Sequence, residues 1–121
     1  MKVKIDTKEK FHVITPEDQH LTANMTEELT NKLLFYMSQP IKNVILNLKM
    51  ISILDISVAR AMEQLQQQSY DNNCSFVICE LQRDVEKFLD EQEILEVLNA
   101  TPTESEAWDI INMEEIEREL I

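Results

Sequence analysis

Hydrophobic and polar positions along this chain switch between two periods. FHVIT, residues 11 to 15, sets Phe11, Val13 and Thr15 on one side and His12 and Ile14 on the other, the alternation of a strand, and a turn follows at Pro16. VKI at 3 to 5 and QHL at 19 to 21 predict short edge strands. Between Thr22 and Pro40 the period becomes helical: Met25, Leu29, Leu33 and Tyr36 (or Leu34 and Met37) follow one stripe, Asn24 and Glu27 have the form of a capping box, and Pro40 blocks continuation. NVILNLK, residues 43 to 49, is a nearly unbroken apolar and β-branched run, as expected of a strand covered on both faces.

In ILDISVARAMEQL, residues 53 to 65, an apolar run gives way to helical spacing, with Val58, Met62 and Leu65 on one stripe, Ala61 beside it, and an end at the turn-prone SYDNN of 69 to 73. SFVICEL at 75 to 81 predicts another buried strand, and Val85, Phe88 and Leu89 mark a third helix. ILEVL at 94 to 98 fits either the continuation of that helix or a last short strand. A fourth helix opens in TPTESEAWDII, where Thr103 can cap and Glu106 can reach back from the third position. Further along, Met113, Ile116 and Leu120 form an apolar edge on an otherwise acidic stretch; the edge could dock on the domain or on a partner, and docking on the domain's own core is the expectation.

Strands alternating with helices imply βαβ crossovers, so the expected class is α/β: a single domain with a mixed β-sheet, parallel central strands and about four helices. A length of 121 residues suits one core, with residues 1 to 111 as the domain and 112 to 121 as an acidic helical extension of it. The chain has no glycine, so backbone positions with positive φ must fall to other residues, and Asn72, Asn73 and Asn99 are the candidates. The same lack excludes a Walker loop and a dinucleotide fingerprint.

Charge is unevenly spread. Residues 1 to 60 carry 7 acids and 8 bases (+1) and residues 61 to 121 carry 16 acids and 3 bases (−13), which together give −12. No cluster of Lys and Arg is present to neutralise phosphates, so nucleic acid is not an expected partner and a charged partner should be basic. No run approaches the roughly 18 apolar residues of a membrane span, and MKVKIDTKEK lacks the apolar stretch of a signal peptide, so a cytoplasmic location is expected. Cys74 and Cys79 are expected to face apart, with no disulfide or shared metal, and Cys79 to be structural. His12 and His20 are expected at the surface or a sheet edge, and Trp108 in packing. The pairs Glu27 with Glu28 and Glu114 with Glu115 diverge on helices, and no nucleophile and base stand out, so neither an enzyme nor a cofactor is expected.

The join at Asp55 and Ser57 remains. A serine at the opening of a helix exposes its hydroxyl beside unpaired backbone N–H groups, a place that suits a phosphate, although two such residues can also simply cap a helix. The string NVILNLKMISILDISVARAMEQL resembles the central strand, loop and helix of the STAS family, the domain of anti-sigma factor antagonists and of sulfate transporter cytoplasmic tails. There an apolar strand leads to Asp, Ser, Ser or Thr, and Gly. TANMTEEL is similar to the start of the family's first helix, SFVICEL to its following strand, VEKFLDEQEILEVL to its third helix and PTESEA to its terminal helix, so the likeness covers roughly residues 10 to 111.

The resemblance implies a bacterial regulatory switch. In anti-sigma factor antagonists the second hydroxyl residue of the motif is phosphorylated by the partner anti-sigma factor, itself a serine kinase, and position matching gives that role to Ser57 with Asp55 supporting the loop. The unphosphorylated form binds the anti-sigma factor and the phosphorylated form releases it. The expected partner surface is Thr22, Ala23 and Asn24 with Ile56, Val58 and Arg60 around the acceptor, on a monomer or weak homodimer. Ile56 stands where the family usually has its first serine and Val58 where it has glycine, and a β-branched residue there is expected to stiffen the loop and hinder a kinase. The alternative is a scaffold, or an accessory subunit of a transporter, that holds its partner without phosphorylation.

Overall fold

Asn43–Asn47 (β4) is buried at every position and lies at the centre of a five-stranded sheet, which is why its sequence shows no polar alternation. The computed structural model describes residues 1–120. Val3–Thr7 (β1) is an edge strand, antiparallel to Phe11–Pro16 (β2). From there β2, β4, Phe76–Cys79 (β6) and Ala100–Thr101 (β7) run parallel in the order β1-β2-β4-β6-β7. The strand-to-helix alternation therefore gives the mixed, mostly parallel α/β sheet that it predicts.

Helices cover both faces. Thr26–Met37 (α1), Ile56–Asp71 (α2) and Arg83–Glu91 (α3) bring Leu29, Leu33, Met62, Leu65 and Leu89 onto Ile14, Val44, Leu46 and Ile78. Glu104–Glu119 (α4) places Ala107 and Ile111 on Phe11, Val13, Ile45 and Val77 on the opposite face. The alternation in FHVIT thus separates the two layers, and each fully buried Leu or Ile contributes about 1.5–3 kcal/mol of transfer free energy. Trp108 packs at 5.2 Å from Phe11, with the Lys8 ammonium 5.7 Å from its ring centre.

Several local expectations need correction. Asn24 and Glu27 form no capping box: a 3₁₀ turn at Ala23–Met25 precedes α1, and neither N-cap residue, Thr22 or Met25, caps its element with its own side chain. On α2, Ala61 is half-buried beside the stripe, as its spacing predicts, and Ala59 adds a fully buried position that the spacing did not mark. Residues 94 to 98 are neither strand nor continued helix but a 3₁₀ turn at Leu95–Val97, and the last strand comes after them. QHL does not join the main sheet; His20–Leu21 (β3) pairs instead with Ile53–Leu54 (β5) in a separate two-stranded ribbon.

Nor is His12 at the surface. It is buried on an inner strand, with Nδ1 2.8 Å from Thr7 Oγ1 and Nε2 donating to the Ile41 carbonyl at 2.6 Å, so the buried ring has a partner on each side. Both cysteines are free and buried, and burial pushes the Cys79 thiol up to about 12, so it serves as packing rather than a reactive group.

Positive φ falls to Asn73, Glu80 and Glu93, not to Asn72 or Asn99. Asn73 and Glu93 each follow a helix: Cys74 N–H bonds to Ser69 O at 2.8 Å and Ile94 N–H to Leu89 O at 2.9 Å, the six-to-one closure of a Schellman motif. Glu80 is held by its own carboxylate, which accepts from Asn47 Nδ2 at 3.2 Å and from Glu104 N–H at 3.3 Å. Glu93→Gly removes a left-handed strain without touching the core, so urea unfolding is expected to show a gain of about 1 kcal/mol; a loss would mean that the Glu93 side chain makes a stabilising contact.

Candidate functional site

The β3–β5 ribbon assembles the site. Its parallel register sets His20 beside Ile53 and Leu21 beside Leu54, while Gln19 O accepts from Ser52 N–H at 2.8 Å and Leu21 O accepts from Asp55 N–H at 3.0 Å. These bonds lay the loop before α1 against the loop before α2, which brings Thr22, Ala23 and Asn24 next to Asp55, Ile56 and Ser57.

Asp55 is the N-cap residue of α2 by backbone geometry, yet its side chain makes no bond to its own helix. Its carboxylate turns across to the neighbouring loop, where Oδ1 accepts from His20 Nε2 at 2.7 Å and Oδ2 accepts from Ala23 N–H at 2.8 Å. Simple capping of α2 is therefore not its role: the side chain caps the 3₁₀ turn that leads into α1 and fastens two loops together. The His20 hydrogen bond first, and the Ala23 N–H second, hold the Asp55 carboxyl below its ordinary range. A depressed carboxylate contributes stability that is full above the unfolded-state value, about 4, and is lost as pH falls through the folded one. His20→Ala is expected to move the Asp55 carboxyl titration up toward the ordinary range, read by carbon NMR. An unmoved midpoint would show that the Ala23 N–H alone sets it.

Ser57 occupies the second position of α2, half-buried, with Oγ 3.0 Å from Thr26 Oγ1 at the first position of α1. Val58 and Ala59 N–H both bond to Asp55 O, which leaves the N–H groups of Ile56 and Ser57 as the orphan donors of the first turn. Two helix N-termini thus meet at a pair of hydroxyls. Ile53 in β5 and Ile56 at the first position of α2 are 54% and 43% exposed, apolar side chains that flank the polar centre in the chain. Arg60, one turn on from Ser57, is exposed and reaches Glu63 only at 3.5 Å. Ala23 and Asn24 are exposed and Thr22 half-buried.

Val58 is the exception among the expected contact residues. It is 0% exposed and packs into the core, so its side chain offers a partner no surface and does not stand over Ser57. It also lies inside α2, where the backbone needs no glycine. The sequence reading missed His20 and Thr26 as members of the site. Their partners lie 35 and 31 residues away, and nothing local in QHL or TEEL marks the contact.

The STAS domain family model matches residues 2–107, from the first strand into α4. A candidate anti-sigma factor antagonist from Thermotoga maritima has a similar structure, with a TM-score of 0.81 at 12% identity over 91% of this chain and 94% of that one. A serine-to-glutamate variant of RsbS from Moorella thermoacetica gives 0.77 at 15% identity over 98% and 99%. The anti-sigma factor antagonist SpoIIAA in its unphosphorylated form gives 0.72 at 15% identity over 92% and 96%. At these identities the likeness speaks for the fold alone, and no curated protein matches in sequence. No helix among the described residues is long and apolar enough to cross a membrane. The family match covers the sheet, the ribbon and the Asp55 to Ser57 turn together, and the chain belongs to the STAS domain family.

Proposed function

We propose that this protein is a cytoplasmic anti-sigma factor antagonist, a binding protein rather than an enzyme, that holds a serine-kinase anti-sigma factor and is switched by phosphorylation at Ser57. The observation that carries the reading is the Ser57 hydroxyl at the second position of α2, beside the first-turn N–H groups and flanked in the chain by the exposed Ile53 and Ile56. A phosphate at that point gains hydrogen bonds and a favourable helix dipole, so the domain need not unfold to accept it. The added charge of about −1.5 to −2 then falls among Ile53 and Ile56, where a partner seated on apolar side chains has to desolvate it. Membership of the STAS family, with anti-sigma factor antagonists among the proteins of similar fold, supports this reading.

The test is the intact mass of the protein isolated from its own host, with fragmentation to place any phosphate. A phosphate on Ser57 is the expected result. The Thr26 contact favours the second reading, a scaffold or transporter accessory subunit that binds constitutively, because a hydroxyl already engaged at 3.0 Å is less free to react. An unmodified Ser57 across growth conditions, with a protein partner still bound, would decide for it.

A further inference from the structure

The last helix carries apolar side chains on two opposite sides. Ala107 and Ile111 face the sheet. At about 100° per residue, Met113, Ile116 and Leu120 project from the far side of the helix, about 180° away. They are 52%, 55% and 82% exposed, so the apolar edge does not dock on the domain's own core, contrary to its sequence expectation.

Polar contacts fix that orientation. Arg118 Nη2 donates to Glu115 Oε1 at 2.8 Å, to Ser75 Oγ at 3.1 Å and to Asn43 Oδ1 at 3.3 Å. Asn43 Nδ2 donates to Glu115 Oε1 at 2.6 Å, and Asn43 first and Arg118 second hold the Glu115 carboxyl below its ordinary range. Asn99 Nδ2 reaches Glu114 at 3.5 Å. The helix therefore docks by a polar seam beyond Ile111, and it cannot roll its outer stripe inward without breaking that seam.

The outer stripe has a charge pattern of its own. Along its 16 residues α4 has seven carboxylates and one base, and that base, Arg118, is engaged in the seam. Asp109 lies in line with the stripe, Glu106 and Glu117 border one side and Glu119 the other, all exposed. A second copy of the chain would set these acids against themselves, and an anionic lipid surface or a nucleic acid would be repelled. An amphipathic helix with Lys and Arg flanking its apolar positions matches both the i, i+3, i+7 spacing and the charge.

We infer that Met113, Ile116 and Leu120 form a docking stripe for a basic amphipathic helix of a partner protein. The stripe lies on the opposite face of the sheet from Ser57, so it is independent of the phosphorylation reading and leaves the Ser57 surface free for a second partner.

The probe is a synthetic Leu/Lys peptide with helical amphipathic spacing, titrated into the nitrogen-labelled full chain. The expected result is amide shifts concentrated on 109 to 120, weakening with salt, and at least about tenfold weaker binding by the exposed triple variant M113Q/I116Q/L120Q. A Gln/Lys peptide of equal charge is expected not to bind. Equal binding of that peptide, equal binding by the triple variant, or shifts away from α4 would each overturn the inference. So would a concentration-dependent dimer, seen by sedimentation without peptide, that the triple variant abolishes.

Discussion

Replacing Val58 by glycine, the residue the STAS family usually has there, is expected to destabilise this protein by about 3–4 kcal/mol. Val58 is 0% exposed at the third position of α2, within the core that includes Leu54, Met62 and Leu21. Deleting its side chain removes a fully buried group worth about 1.5–3 kcal/mol, leaves a partly unfilled cavity, and puts glycine in a helix at a cost of about 1 kcal/mol. A typical domain is stable by only 5–15 kcal/mol in total, so the variant should be visibly less folded on warming. Urea titration measures it, with Val58→Ala as the companion that keeps the helix propensity and isolates the cavity at about 2 kcal/mol. A loss below about 1 kcal/mol for the glycine variant would mean that the core closes around the gap. The valine is thus an inward residue of this particular core, and its departure from the family pattern concerns packing rather than access to Ser57.

That distinction shows where sequence reading stops. The alternation of Phe11 and Val13 against His12 and Ile14 separates two layers because a strand's period forces it, and the apolar run of 43 to 47 is central because both its faces are covered. Such patterns are repeated along an element, so the local order of residues alone carries them. β3 and β5 have two residues each and no period to read, yet their pairing brings His20 to Asp55. Glu80 and Glu93 take left-handed backbone because a carboxylate network and a helix closure hold them, which no propensity for Asn or Asp could indicate. His12 looked peripheral because histidine is polar; burial became affordable only through Thr7 Oγ1 and the Ile41 carbonyl, two partners that the fold supplies. The Asp55 and Ser57 turn was legible as a place, and its wiring through Ala23, His20 and Thr26 was not.

Ser57→Asp is expected to weaken the complex with the proposed kinase partner at least about a hundredfold, which corresponds to about 2.8 kcal/mol. The physical basis is local. At the second position of α2 a carboxylate meets the orphan N–H groups of the first turn and can accept from Thr26 Oγ1, so the folded domain tolerates it and its unfolding midpoint should hardly move. The partner instead has to bury a new charge beside Ile53 and Ile56, and an unpaired charge in an apolar contact costs several kcal/mol. Ser57→Ala separates the two contributions, since it loses the Thr26 hydrogen bond and adds no charge; it should bind within about threefold of the unaltered protein. The measurement is calorimetry against the proposed serine-kinase partner, paired with thermal unfolding of each variant. If aspartate and alanine weaken binding equally, the contact with Thr26 is what the partner reads and charge is not the switch. If aspartate binds as tightly as serine, the surface around Ser57 is a fixed docking face, and the constitutive scaffold becomes the better account of the protein.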